Sequence, residues 1–215
     1  MAVYYFPGCA LQVYKPALAD KIISILHGKY SDIRLLNACC KRDMPINADD
    51  MLFTACPGCE NRLSKKYNTK TVWQVLADID YVFPNYGGLE ISMHDSCNIR
   101  GREDVYDGTR KLLDRMNIKV VESKYNRGAS HCCGASLVSK LSIDELEKHK
   151  SERLAEFPAN DIAVHCMGCT RNLYERSKTI HHLADLVAGE KTELKSTSNA
   201  DWDRWKLEYA DKVCV

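Results

Sequence analysis

The chain has 215 residues, 45% of them apolar, enough to bury one large core or two smaller ones. Thirty Lys and Arg against 29 Asp and Glu leave a formal charge of +1. That balance excludes the strong field of a nucleic-acid binder or of a protein held on an anionic membrane.

The opening residues Met1-Ala2-Val3-Tyr4-Tyr5-Phe6 lack the basic region and long apolar run of a signal peptide. No later run approaches the ~18 apolar residues of a spanning helix. A cytoplasmic location without membrane insertion is therefore expected. Eleven cysteines would suit a disulfide scaffold in a small, loop-rich secreted chain, but this chain has core enough without them.

In chain order, short apolar runs at 3–6, 33–36, 51–54, 89–93 and 162–164 read as strands. Each stops at a cysteine: Cys9, Cys39-Cys40, Cys56, Cys97 and Cys166. Helical periodicity follows several of these turns, with Leu18, Ile22, Ile25 and Leu26 on one face and Tyr106, Thr109, Leu113 and Met116 on another. The plainest helix start is Ser142, where Glu145 completes a capping box and Leu141 with Leu146 takes the places of a hydrophobic staple. Its inner face would comprise Leu146, His149 or Lys150, the Arg153 stem, Leu154 and Phe157. After a polar stretch at 192–200, Trp202, Trp205, Tyr209 and Val213 fall at helical spacing, a stripe that needs a cover on its own domain or on a partner.

Strand, turn and helix thus recur as a unit, which predicts an α/β fold with mostly parallel sheets and ligand-bearing loops at the strand carboxyl ends. The unit is also duplicated. Residues 56–63, with Cys56-Pro57-Gly58-Cys59, resemble residues 166–173, with Cys166-Met167-Gly168-Cys169, and Leu76-Ala77-Asp78-Ile79 resembles Leu183-Ala184-Asp185-Leu186. The turn-rich Pro84-Asn85-Tyr86-Gly87-Gly88 marks the boundary. The expected organisation is a cysteine-rich half at 1–86, a second at 87–190 and an aromatic tail at 191–215.

The cysteines follow the duplication. Cys9 precedes Cys39-Cys40 by 29 intervening residues, and 15 more lead to Cys56-x-x-Cys59. Cys97 precedes Cys132-Cys133 by 34, and 32 more lead to Cys166-x-x-Cys169. A Cys-x-x-Cys turn aims two sulfurs at one centre, and Gly58 and Gly168 let the backbone wrap closely around it. Adjacent cysteines point to opposite faces of extended backbone, so a bent loop or a large cluster is needed to use both. Five thiols exceed the four of a closed zinc site or a cubane cluster. The surplus favours a larger or irregular iron-sulfur assembly, or four ligands with one thiol kept for substrate chemistry. Cys214 lies outside the repeat and reads as a bystander.

This arrangement resembles the CCG, or cysteine-rich, domain found in the B subunit of heterodisulfide reductase and in related components of anaerobic redox complexes. The residues that carry the resemblance are His94-Asp95-Ser96-Cys97, Cys132-Cys133-Gly134 and Cys166-Met167-Gly168-Cys169. It implies two Rossmann-like α/β halves and Cys97, Cys132, Cys133, Cys166 and Cys169 as ligands of a noncubane [4Fe-4S] cluster. It also implies single-electron reduction of a disulfide or similar acceptor. The first set, Cys9, Cys39, Cys40, Cys56 and Cys59, departs from the pattern. Lys41 stands where the glycine would be, and its last interval is about half as long. It would hold a second noncubane cluster, a conventional cluster on four thiols, or zinc.

His94, His131 and His165 adjoin second-set cysteines and are candidate proton donors, since disulfide reduction consumes protons. Packing against the ligands is the simpler role. Arg100, Arg102 and Arg171 could offset cluster charge or hold an anionic substrate, and Asn98 and Asn172 could donate to sulfur. No dinucleotide-binding glycine motif or ferredoxin-type cysteine run occurs, so electrons would come from a ferredoxin-like or flavoprotein partner. Two other readings are an electron-relay component of a lactate, glycolate or succinate oxidising complex, and a structural zinc protein.

Overall fold

The structure is a computed structural model and describes residues 1–174, 176–195 and 197–213. Cys214 lies outside the described residues. The chain divides into two compact units, Met1–Val82 with Glu193–Val215, and Phe83–Thr192.

In the first unit, β1 (Val3–Phe6) is followed by α1 (Cys9–Tyr14) and α2 (Pro16–His27), β2 (Arg34–Leu35), β3 (Met51–Thr54), α3 (Pro57–Leu63), β4 (Asn68–Thr71) and α4 (Val72–Ala77). The second unit runs β5 (Leu89–His94), α5 (Glu103–Arg115), β6 (Ile118–Val120), α6 (Ile143–Ala155), β7 (Asp161–Val164), α7 (Met167–Leu173), β8 (Thr179–His182) and α8 (Leu183–Ala188). Helix α9 (Asn199–Val213) returns to the first unit and packs on α1. Among the described residues, no helix is long and apolar enough to cross a membrane.

Both sheets are four-stranded and parallel, in the orders β2-β1-β3-β4 and β6-β5-β7-β8. They are two α/β halves of Rossmann-like form. The central strands are near-continuous apolar runs, as strands covered on both faces must be. Tyr5, Phe6, Leu52, Ile91, Met93, Ile162 and Val164 have no exposed surface, and burying each large aliphatic or aromatic side chain contributes about 1.5–3 kcal/mol. Polar sequences at 68–71 and 179–182 and the short 118–120 segment form strands as well. All three are edge strands, paired on one side only, so they carry little of the apolar signal.

The helices follow the sequence pattern. Leu18, Ala19, Ile22, Ile25 and Leu26 are the buried face of α2, and Val105, Tyr106, Thr109, Leu112 and Leu113 that of α5. Ser142 caps α6, accepting from Glu145 N–H at 3.3 Å while Glu145 Oε2 accepts from Ser142 N–H at 2.9 Å. Leu146, Lys150, Arg153, Leu154 and Phe157 are buried along its inner side.

The topology places the cysteines. In each unit the chain steps from the central strand to one neighbour and then crosses to the other side, so the crevice between β1 and β3, or β5 and β7, is a switch point where ligands bind at strand carboxyl ends. Phe6 pairs with Thr54, and Cys9 and Cys56 lie three and two residues beyond them. His94 pairs with Val164, and Cys97 and Cys166 stand at the same offsets.

Candidate metal centre

Each Cys-x-x-Cys is built as a helix start. Cys56 and Cys166 are N-cap residues in extended conformation, and Cys59 and Cys169 fall in the first turn behind them, with Pro57 favouring that turn in α3. Both members of a pair thereby face the crevice at the end of the central strands.

In the second unit the five sequence-predicted cysteines come together. Cys97 Sγ lies 3.9 Å from Cys132 Sγ, and among these free thiols Cys132 is hydrogen-bonded to Cys133, Cys133 to Cys169, and Cys169 to Cys166. Cys133 and Cys169 are buried, whereas Cys97, Cys132 and Cys166 are partly exposed. Leu154, Phe157, Ile162, Val164, Leu173 and Ile180 form the dry wall behind them. His94, Cys133 and Cys169 each present one ligand atom within 4.8 Å of the others, a set able to hold a metal ion.

The sulfurs share protons unevenly. Bonds from Cys133 and then Cys97 draw the Cys132 thiol far down, while Cys97 is pushed up by that same bond and by burial. Cys166 is lowered to about 7 by its bond to Cys169. Cys133 is raised to about 12, first through its bond to Cys132. A thiol whose neighbours draw its proton away is the more readily given up as thiolate to a cation or cluster.

The loop bearing Cys132-Cys133 is fixed from three directions. Gly134 N–H donates to Cys132 Sγ at 3.3 Å, His149 Nε2 bonds the Cys132 carbonyl at 2.9 Å, and Asn172 Nδ2 donates to the Cys133 carbonyl. Gly134 has φ +92°, and a Cβ there would stand 3.0 Å from His149 and 3.1 Å from Asn172. The glycine of the tripeptide is thus required by backbone conformation and by α6 packed over it.

Asp95, fully buried, ties this loop to the Cys97 turn. Its two oxygens each accept from Arg110 at 2.9 Å, and Oδ2 also accepts from Arg127 N–H at 2.6 Å, at a residue with φ +50°. Burial pushes the Asp95 carboxyl up, yet Arg110 holds it below the usual carboxylate range.

The candidate histidines differ. His94 and His165 are fully enclosed; burial, then Arg153, lowers His94 to about 3, and burial lowers His165 to about 4. His165 Nε2 accepts from Ser96 N–H at 3.1 Å, and His94 Nδ1 meets Arg153 at 3.1 Å. His94 Nε2 and His165 Nδ1 are buried with no hydrogen-bond partner among the described residues. His131 is 48% exposed, stacks on Tyr125, and bonds Glu156 through Nδ1 at 2.6 Å.

In the first unit Cys9, Cys39, Cys40, Cys56 and Cys59 also converge. The free thiol of Cys59 is hydrogen-bonded to both Cys40 and Cys56, and Cys9 lies in the field of Cys56, Cys40 and Cys39. Burial raises Cys9 to about 11, whereas the bond from Cys59 lowers Cys40 to about 7. Gly8, with φ +77°, lets the backbone pass close, since a Cβ would sit 3.3 Å from Cys59 Sγ. Lys41 is exposed and is not among the described residues with positive φ, so its position does not require a glycine.

Other sequence candidates are placed elsewhere. Arg100 donates to the Ser130 carbonyl at 2.8 Å, Arg102 pairs with Asp104, and Asn172 serves a carbonyl in place of sulfur. Arg153 was legible only as a helix stem, though a charge within the apolar stripe of α6 was the signal of its buried role. Trp202 and Ala210 of α9 are buried, and Tyr209 Oη donates to Asn37 at 3.1 Å within the first unit.

The family model of the CCG cysteine-rich domain matches residues 91–174, so such a domain is present in the second unit. An uncharacterized iron-sulfur protein of Methanococcus maripaludis is 26% identical over 166 residues, 63% of this chain and 32% of that protein. The chain therefore spans 32% of the length of that curated relative. Among solved structures, aspartate racemase of Picrophilus torridus aligns over 96% of this chain and 100% of its own, with TM-score 0.37 and 11% identity.

Proposed function

We propose that this chain is an iron-sulfur redox component resembling the B subunit of heterodisulfide reductase. Cys97, Cys132, Cys133, Cys166 and Cys169 would hold a noncubane [4Fe-4S] cluster and pass single electrons to a disulfide or similar acceptor. The observation that carries this reading is the convergence of all five thiols on one crevice, one more than a zinc site or cubane cluster takes. The presence of the CCG domain supports it.

When bound, the cluster would supply one-electron chemistry. The chain's own residues do the rest. The thiolates would anchor the metal, the wall of Leu154, Phe157, Ile162 and Val164 would keep water from its inner side, and the partly exposed edge at Cys97, Cys132 and Cys166 would give access to an acceptor. Reducing a disulfide takes two electrons and two protons. His131, exposed beside Cys132 and held by Glu156, would hand protons from solvent to that edge, whereas His94 and His165 are enclosed. The electrons would come from a ferredoxin-like or flavoprotein partner. The first set would hold a second cluster or zinc.

Anaerobic purification followed by iron, sulfide and zinc analysis, with electron paramagnetic resonance of the oxidised protein, tests the proposal. Iron and sulfide in equal amounts with a cluster signal are expected. Stoichiometric zinc with little iron would refute it.

A further inference from the structure

His94 meets the thiol site with one ring nitrogen committed elsewhere. Arg153, on α6 and 1% exposed, approaches Nδ1 with Nη2 at 3.1 Å and Nε at 3.3 Å. A guanidinium has only donors, so Nδ1 must be the nitrogen with the free lone pair, and the proton of the neutral ring sits on Nε2. Nε2 is buried with no hydrogen-bond partner, sulfur included, among the described residues, and a ring nitrogen lies within 4.8 Å of the Cys133 and Cys169 sulfurs. A buried N–H without an acceptor is costly, by roughly 1–3 kcal/mol, and sulfur is what this ring adjoins.

We infer that Arg153 is a positioning residue that holds His94 in the Nε2–H tautomer, so that His94 donates a hydrogen bond to sulfur once the second cysteine set is loaded and does not serve as a metal ligand. The inference rests on the proposed iron-sulfur reading for the identity of that centre, though the tautomer itself follows from Arg153 alone.

The surroundings fit this role. Arg153 is held by Ser130 Oγ at 2.8 Å, the Tyr125 carbonyl at 3.4 Å and the Glu156 carboxylate, and its guanidinium lies over the Phe157 ring, 4.2 Å from the centroid. Phe157 in turn packs edge-on to His94 with centroids 6.0 Å apart. The His94 ring and the Arg153 guanidinium are both buried, each residue 1% exposed. The first unit supplies an internal contrast, because Phe6 occupies the position matching His94 in strand register and is equally buried. The two cysteine sets therefore differ in a polar donor as well as in loop length. An N–H directed at sulfur stabilises the more negative, reduced state of a cluster and raises its potential.

The test uses the anaerobically purified full chain as wild type, H94F, R153K and the double variant R153M/E156Q, which removes both ends of the buried pair. H94F copies the residue found at Phe6. In iron-loaded protein, its midpoint should fall by about 59 mV, a tenfold change for a one-electron couple. R153K, which keeps a donor facing Nδ1, should stay near wild type, and R153M/E156Q should fall with H94F. Electron-nuclear resonance on 15N-histidine protein should show an exchangeable proton near the cluster and only weak nitrogen coupling. Strong nitrogen coupling, or an unchanged H94F midpoint, would overturn the inference while leaving the iron-sulfur reading intact. Should zinc be found instead, that reading fails separately. The diamagnetic protein then gives the tautomer by long-range proton-nitrogen spectra, where Nε2–H on His94 supports the inference and a bare Nε2 overturns it.

Discussion

Asp95 and Arg110 face each other through two parallel hydrogen bonds of 2.9 Å, with the carboxylate fully buried and the guanidinium nearly so. The pair joins the turn after β5 to α5, and through Arg127 N–H it reaches the loop that carries Cys132 and Cys133. R110M would leave a buried carboxylate without its partner, a loss of about 3–5 kcal/mol. D95N/R110M should recover part of it, because no buried charge is stranded and only Glu122, 39% exposed, loses its partner. Urea unfolding of both variants checks this, and equal destabilisation would remove the pair's assigned role.

The two halves place a glycine where each needs one. G134A should lose about 1–3 kcal/mol, since its Cβ would stand 3.0 Å from His149 in a left-handed backbone, and should bind less metal because the Cys132-Cys133 loop must shift. K41G, which adds the missing glycine at an exposed position, should leave metal content unchanged. Thermal unfolding and metal analysis of the two variants decide between a packing requirement and a chemical one.

This asymmetry shows how far the sequence could be read. The central strands, α2, α5, the Ser142 cap and the grouping of cysteines into two sets were legible because each rests on local pattern: apolar runs, helical spacing, a capping box, a repeated motif. The edge strands β4, β6 and β8 were not, since pairing on one side demands little apolar sequence. Arg153 could be placed on the inner face of α6, but its partner is 59 residues away in β5. Likewise Asp95 was visible within a motif, while Arg110 as its partner depends on how α5 lies against β5. Long-range polar pairs have no periodicity to announce them.

Replacement of ligands should separate the two sets. C133S should abolish the oxidised-state signal and lower iron content by the share held in the second set, because Cys133 bonds both Cys132 and Cys169 at the buried end of the site. C39S should leave that signal in place. A signal that survives C133S would remove Cys133 from the ligands, and its loss in C39S would mean the sets are not independent.

Acid stability should depend on Glu147, which bonds Lys150 at 2.9 Å and Arg176 through both carboxylate oxygens. Arg176 and then Lys150 hold its carboxyl down to about 2. A lowered folded-state value means that the stabilisation is complete above the ordinary carboxylate value of about 4.5 and fades as pH falls through about 2. Glu147 is 45% exposed, so screening limits the effect to roughly 0.5 kcal/mol. E147Q should therefore lower stability by about that amount across pH 5 to 8 and converge on wild type as pH falls towards 2, which flattens the acid limb, as measured by denaturant midpoints across pH. A steeper limb would reverse the sign of the argument.

Helix α9 covers the first unit with modest means. Only Trp202 and Ala210 are buried, Leu207 is 61% exposed, and polar ties are made by Arg42 to Asp211 and by Tyr209 to Asn37. Lys206 lies near enough to favour the Cys9 thiolate, although burial dominates that thiol. Such a helix opens at a small fraction of the global unfolding cost, because few apolar contacts are lost. W202A removes the larger buried anchor and should release α9 without unfolding the sheet. Alkylation of Cys9 by iodoacetamide should then quicken several-fold, while that of Cys97 in the second unit stays constant. Equal acceleration at both cysteines would instead indicate global destabilisation, and no acceleration at Cys9 would show that α9 does not shield the first set.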